Sequence, residues 1–138
     1  MKKMINRSLF LLAGLAFVFA SCGKYEGGPG LSLLTKKGRL AGTWDISSFE
    51  SANGDIITFE PNTLTMTFEK DGSYMESGTI VGFTFSDSGS WEFNSEKTAI
   101  VSTIDGESPE TTEPIYRLTS EELWFKDADG DITKYTKK

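Results

Sequence analysis

The chain has no histidine and only one cysteine in 138 residues. Those absences exclude a Ser-His nucleophilic pair, a histidine metal cluster and an internal disulfide. Basic residues are also scarce, with 14 Lys and Arg against 20 Asp and Glu and a formal charge of −6. Lys2, Lys3 and Arg7 are the only charged side chains in residues 1–21, so the remaining 117 residues carry 11 cations against 20 acids, a formal charge of −9. Phosphate binding needs a basic face, which excludes nucleic acid as a partner. The one long apolar run, Leu9 to Ala20, has 12 residues. At about 1.5 Å per residue it falls well short of a bilayer core of roughly 30 Å. No phosphate-cradling glycine loop is present, and no cofactor is expected.

What remains is ordinary globular composition, 38% hydrophobic and 25% charged, enough for one domain. A basic start, an apolar run and the small residues Ala20 and Ser21 make residues 1–21 a secretory signal peptide. Phe19-Ala20-Ser21-Cys22 resembles the lipobox of bacterial lipoproteins, which are cleaved before a cysteine that then carries lipid. The resemblance implies lipidation at Cys22, a membrane partner through that anchor, and residence at the outer membrane. Residues 22–30, Gly-rich with one Pro, form a flexible tether, and residues 31–138 form the folded domain. Lys24 and Glu26 resemble the tethers of surface-exported lipoproteins.

From Leu31 to Leu40 the spacing of Leu31, Leu34 and Leu40 predicts a short helix with Ser32 as N-cap and Gly38 fraying it. Beyond Gly42 the period changes to two. Leu64, Met66 and Phe68 alternate with threonines, and Trp91 and Phe93 alternate with polar residues. Asn53-Gly54, Asp71-Gly72, Asp105-Gly106 and Asp129-Gly130 predict hairpins with φ > 0 at both central positions. Asp87-Ser88-Gly89 supplies a softer turn. Strands are expected near 43–51, 55–59, 63–70, 73–81, 88–94, 97–104, 112–118, 122–127 and 131–137. The fold class is all-β, an antiparallel up-and-down barrel of about eight strands with a short N-terminal helix. A β-sandwich is the alternative.

Gly42-Thr43-Trp44, opening the first strand directly after the helix, is similar to the Gly-x-Trp motif of the lipocalin-like family. With the lipobox and the tether, the chain resembles lipocalin-like lipoproteins of Gram-negative bacteria. The resemblance implies that Gly42, Trp44 and a late arginine, here Arg117, close one end of the barrel. Arg117 falls two strands before the last, and the family's Thr-Asp-Tyr motif is absent. Met66, Phe68, Trp91 and Phe93 either fill the barrel or line a ligand cavity. Either Trp124 or its neighbours Leu123 and Phe125 must point outward, and an outward Trp124 beside Tyr116 or Tyr135 would make a contact patch.

Asp127-Ala128-Asp129-Gly130-Asp131 starts like a calcium loop, but Ile132 and Lys138 stand where Gly and Glu are required, so it is a hairpin turn and no metal is expected. Glu107, Glu110 and Glu113 read as a solvated loop rather than an acid/base pair. The function expected is non-enzymatic: a lipid-anchored barrel holding a small apolar ligand. The alternative is a solid barrel contacting another envelope protein, a glycan or a host molecule. Replacing Cys22 by Ala should move the protein from the membrane to the soluble fraction on cell fractionation, and a membrane-retained variant would exclude the anchor.

Overall fold

The computed structural model describes residues 34–107 and 109–138. The signal peptide, Cys22, the tether, Leu31 and Ser32 lie outside them. Helix α1 (Lys36–Leu40) is followed by β1 (Gly42–Glu50), β2 (Ile56–Thr58), β3 (Leu64–Phe68), β4 (Ser73–Ile80) and β5 (Phe83–Phe93). The chain then continues through β6 (Ala99–Ile104), β7 (Thr111–Leu118), β8 (Glu122–Lys126) and β9 (Ile132–Lys137). From β3 onward each strand pairs antiparallel with the next, and β1 pairs with both β3 and β9, so eight strands close into a barrel. Short β2 is an added strand on the far half of β1. The strands that close the barrel lie between Gly42 and Lys137, and the helix that covers one end, Lys36–Leu40, directly precedes them. It is the meander expected from the turn spacing, and the sandwich is excluded.

The Asn-Gly and Asp-Gly turns form where expected, by a different geometry. Gly54, Gly72, Gly106 and Gly130 have positive φ, but the Asn or Asp before each does not. Gly54, Gly72 and Gly130 donate to the carbonyl three residues back, a type I turn closed by a left-handed glycine. The hairpin with two consecutive left-handed residues is Val81-Gly82, at φ 48° and 80°, inside an apolar run that hides it from a reading of turn residues. Asp87-Ser88-Gly89 is therefore not a turn but the middle of β5, which begins at Phe83. Gly89 has a separate reason to be glycine: a Cβ there would lie 1.8 Å from the carbonyl oxygen of Thr103. The missing side chain lets β5 and β6 approach where the barrel wall bends.

The helix is shorter than expected and capped one turn later. Thr35 is the N-cap, its hydroxyl accepting from the Gly38 amide at 2.9 Å. Five residues leave carbonyls with no intrahelical partner, and the barrel supplies donors. Trp44 Nε1 donates to Leu40 O at 2.7 Å, and Lys137 Nζ donates to Arg39 O at 2.9 Å. Trp44 and Leu40 are completely buried, and Arg39 nearly so. The helix thus seals one end over Phe68, Trp91, Leu118 and Leu123, all buried in the same core.

Trp44 loses a hydrogen bond and a large apolar contact on truncation, so Trp44→Ala should cost roughly 3–5 kcal/mol. Trp124→Ala, at a half-buried outer position, should cost clearly less; chemical denaturation of both variants compares them, and equal losses would show that the seal is not a principal support.

Candidate functional site

Directly opposed cross-strand partners share a face, so the registers identify which side chains point inward. Met66 lies opposite Glu76 and Glu76 opposite Asp87. Trp91 lies opposite Ser102, and Ile100 opposite Glu113. Along these rows burial falls steadily from the sealed end to the other. On β7 it runs from fully buried Leu118 through buried Ile115 and half-buried Glu113 to exposed Thr111. On β4 it runs from buried Tyr74 through half-buried Glu76 to exposed Ile80. On β5, Trp91 is buried while inward-facing Asp87 and Phe83 are exposed. Burial on the inward rows is thus complete at the sealed end and falls off toward the opposite end, where the inward side chains are half-buried or exposed.

Met66, Phe68 and Trp91 lie in the filled half. Phe68 and Trp91 meet edge to face with centroids 5.6 Å apart, and Trp91 meets Phe93 in the same way at 5.3 Å. Trp91 Nε1 donates to Glu69 O at 2.8 Å. Met66, Phe68 and Trp91 belong to one buried core, and Phe93 packs against it. Leu123 and Phe125 also point inward and are buried, leaving Trp124 on the outer wall. There it stacks on Tyr116, with Lys134 and Arg117 4.5 Å and 5.2 Å from its ring centroid. Half-buried among these side chains, it is not an open patch.

Gly42 and Trp44 stand at the sealed end as the motif implies. Gly42 has φ 133°, and a Cβ there would meet the Lys137 side chain. Arg117 takes another place: a β-bulge between Ile115 and Arg117 shifts the register, and Arg117 pairs outside with Glu122 at 2.7 Å. The cation over Trp44 is Lys137, from the last strand, 5.0 Å from the ring centroid and directly opposite it in the ladder. Burial pulls the Lys137 ammonium below its ordinary pKa.

The cup wall carries a polar group that the sequence reading missed. The Tyr74 hydroxyl donates to Glu76 Oε2 at 2.6 Å. Tyr74 is pushed far up, first by burial, then by that hydrogen bond and by the charges of Glu76 and Glu113. Tyr135, inward from β9, is likewise raised by burial and by Glu113 and Glu76. Both phenols stay protonated and remain donors. Glu113, expected in a solvated loop with Glu107 and Glu110, faces inward on β7. Burial and then the charge of Glu76 push its carboxyl up to about 7. The signal that finds Glu76 and Glu113 is parity, because each acid occupies the inward period of its strand.

At the β8–β9 turn, Asp127 Oδ1 accepts from the amides of Asp129 and Asp131, and Asp131 Oδ1 accepts from the Ala52 amide. Two of the three carboxylates are thus engaged in the hairpin.

No family model and no curated protein matches the chain. Solved structures do match. One, described as a lipocalin-like protein from Bacteroides uniformis, has a TM-score of 0.61 at 18% identity, covering 73% of this chain and 100% of its own. An uncharacterized protein from Bacteroides eggerthii has a TM-score of 0.58 at 13% identity, covering 72% of this chain and 99% of its own. The fold is therefore lipocalin-like, a closed antiparallel eight-strand barrel with one added strand.

An unfolded Glu113 titrates near 4.5, whereas the folded one holds its proton to about 7. The native state binds the extra proton in this window, so its stability falls as pH rises through it. Glu113→Gln should thus be more stable than the parent at pH 8 by about 1–3 kcal/mol and nearly equal to it at pH 4. Denaturant midpoints at the two values check this, and equal midpoints at pH 8 would mean that water solvates the carboxylate fully.

Proposed function

We propose that the chain is a lipid-anchored envelope protein, of the lipocalin-like lipoprotein kind, that carries a small ligand in the open half of its barrel. The observation that carries this reading is the burial gradient along the inward-facing rows, from sealed floor to exposed mouth. A barrel serving only as scaffold would gain by filling its upper half with side chains. Here the inward positions above Met66 and Tyr74 include Glu76, Asp87, Ser102 and Thr111, none of them buried, beside Leu64, Phe85 and Ile104, which are half-buried. The site is concave, with an apolar floor and a few polar groups, which is the usual constitution of a small-molecule pocket. In this reading the signal peptide is removed, Cys22 carries the lipid at the outer membrane, and the chain binds rather than catalyses.

A second reading, a module contacting another envelope protein, a glycan or a host molecule, draws on the tip of the β4–β5 hairpin. Val81 is 91% and Phe83 80% exposed there, and Ile80 is open as well.

The neutral fluorophore N-phenylnaphthylamine should brighten on adding residues 23–138, with a dissociation constant on the order of micromolar. Ser102→Trp, which fills the cup, should weaken that binding about tenfold or more, whereas Val81→Ser at the tip should leave it unchanged. Loss of binding only in the tip variant would favour the contact module.

A further inference from the structure

We infer that the tip of the β4–β5 hairpin, from Ile80 to Phe83, inserts into the bilayer that holds the lipid on Cys22, so that the pole opposite the helix faces the membrane. The inference rests on the lipid-anchored reading above and goes beyond it by naming a second contact with the bilayer. Its ground is a two-stranded arm that leaves the barrel wall. β3 runs beside β4 only to the Leu64–Gly78 pair, and β6 runs beside β5 only to the Gly89–Ile104 pair. One further backbone bond holds each side, Thr79 N to Thr63 O at 3.2 Å and Asp105 N to Ser88 O at 2.9 Å. β4 and β5 then continue, paired with each other, to Ile80 and Phe83. From Ser88 to Phe83 the arm extends about 17 Å, and among the described residues no strand pairs with that stretch on its β6 side.

The end of the arm suits an apolar medium. Ser77 to Ser86 contains no charged residue, and Ile80, Val81 and Phe83 are exposed. Unpaired polar groups are costly in hydrocarbon. Here Ile80 and Phe83 pair across the turn, and the hydroxyls of Thr79 and Thr84 bond to each other at 3.3 Å. Around the arm the same pole is acidic, with Asp55, Glu60, Asp105 and Glu107 all exposed. A broad docking face would press those acids against its partner, whereas a projecting tip enters alone. Interfacial segments sink about 5–10 Å into the headgroup boundary, which takes in Ile80 to Phe83. Asp87 lies about 13 Å back along the strand from Phe83 and stays in water. The bilayer is also within reach of both contacts. The 13 residues from Gly23 to Thr35 span at most about 45 Å, and the 11 residues of β5 rise about 36 Å from the sealed end to the tip. A lipid on Cys22 and the hairpin tip therefore meet one surface.

The test uses the mature lipidated chain in vesicles of phosphatidylethanolamine and phosphatidylglycerol. Cys22 is the only cysteine, and lipid occupies its thiol. Val81→Cys therefore supplies a single free thiol for a nitrobenzoxadiazole label, and Ser120→Cys, in the β7–β8 connection at the sealed pole, supplies the control. The label at position 81 should shift to the blue and lose most of its emission to lipids spin-labelled in the acyl chain, and the label at position 120 should do neither. Adding Phe83→Asp should restore the emission at position 81 and leave the denaturant midpoint where it was, because Phe83 is exposed. An unquenched label at position 81, in protein that floats with the vesicles, would overturn the inference and leave the anchor standing. Equal quenching at the two positions would overturn it as well. If the chain does not float with the vesicles, the anchor fails and this inference fails with it.

Discussion

The barrel depends on one capped end. A five-residue helix has too few internal hydrogen bonds to stand alone, and a barrel without a cover would leave Trp44, Phe68 and Trp91 open to water. The indole of Trp44 solves both problems, filling the floor with its rings while its N–H holds the carbonyl of Leu40. Lys137 does the same from the last strand, reaching Arg39 O while its ammonium lies near the same indole. Cations are favoured at helix C-termini, so the lysine assists the helix as well as the ring. The two residues face each other across the β1–β9 ladder, the pairing that closes the barrel. Closure and capping thus draw on the same two residues.

That end was legible because its determinants are local. Gly42-Thr43-Trp44 marks the start of β1, and Asn-Gly and Asp-Gly dipeptides mark four of the turns. The Val81-Gly82 hairpin was hidden because its residues read as strand. A β-branched residue at positive φ is unfavourable in isolation, and here the long β4–β5 ladder holds it in place. The arginine expected over Trp44 was misassigned for a related reason. The bulge between Ile115 and Arg117 turns Arg117 outward, and a bulge in a mid-strand Tyr-Arg leaves no mark in the period. The acidic cup was illegible for a third reason. It is assembled from alternate positions on different strands, so Glu76 and Glu113 are neighbours only after closure. Glu113 sits close in sequence to Glu107 and Glu110, which are exposed, and sequence proximity gave it the wrong company.

The cup also shows how a barrel of this size divides its interior. Aromatic rings, several in edge-to-face contact, fill the lower half together with Leu40, Ile100, Leu118 and Leu123. The upper half carries carboxyl and phenol groups that are costly to desolvate. Glu113 is the clearest case, since an uncharged residue at its position would be easier to bury. A chain that keeps an ionisable group where ionisation opposes folding trades stability for chemistry at that point.

The ends of the domain share one pole. Helix α1 enters at the sealed end, and Lys138 finishes there with its amide bonded to Thr43 O. The opposite pole is built of connections alone: the loop before β2, the Val81-Gly82 tip, the segment after Ile104 and the Asp127–Asp131 turn. Rim and seal are therefore separable modules. The rim is free to lengthen, shorten or change its side chains while the seal stays constant, so one foundation can underlie proteins of different selectivity. A fusion partner joined directly before the helix or directly after Lys138 is held at the sealed pole, away from the opposite rim.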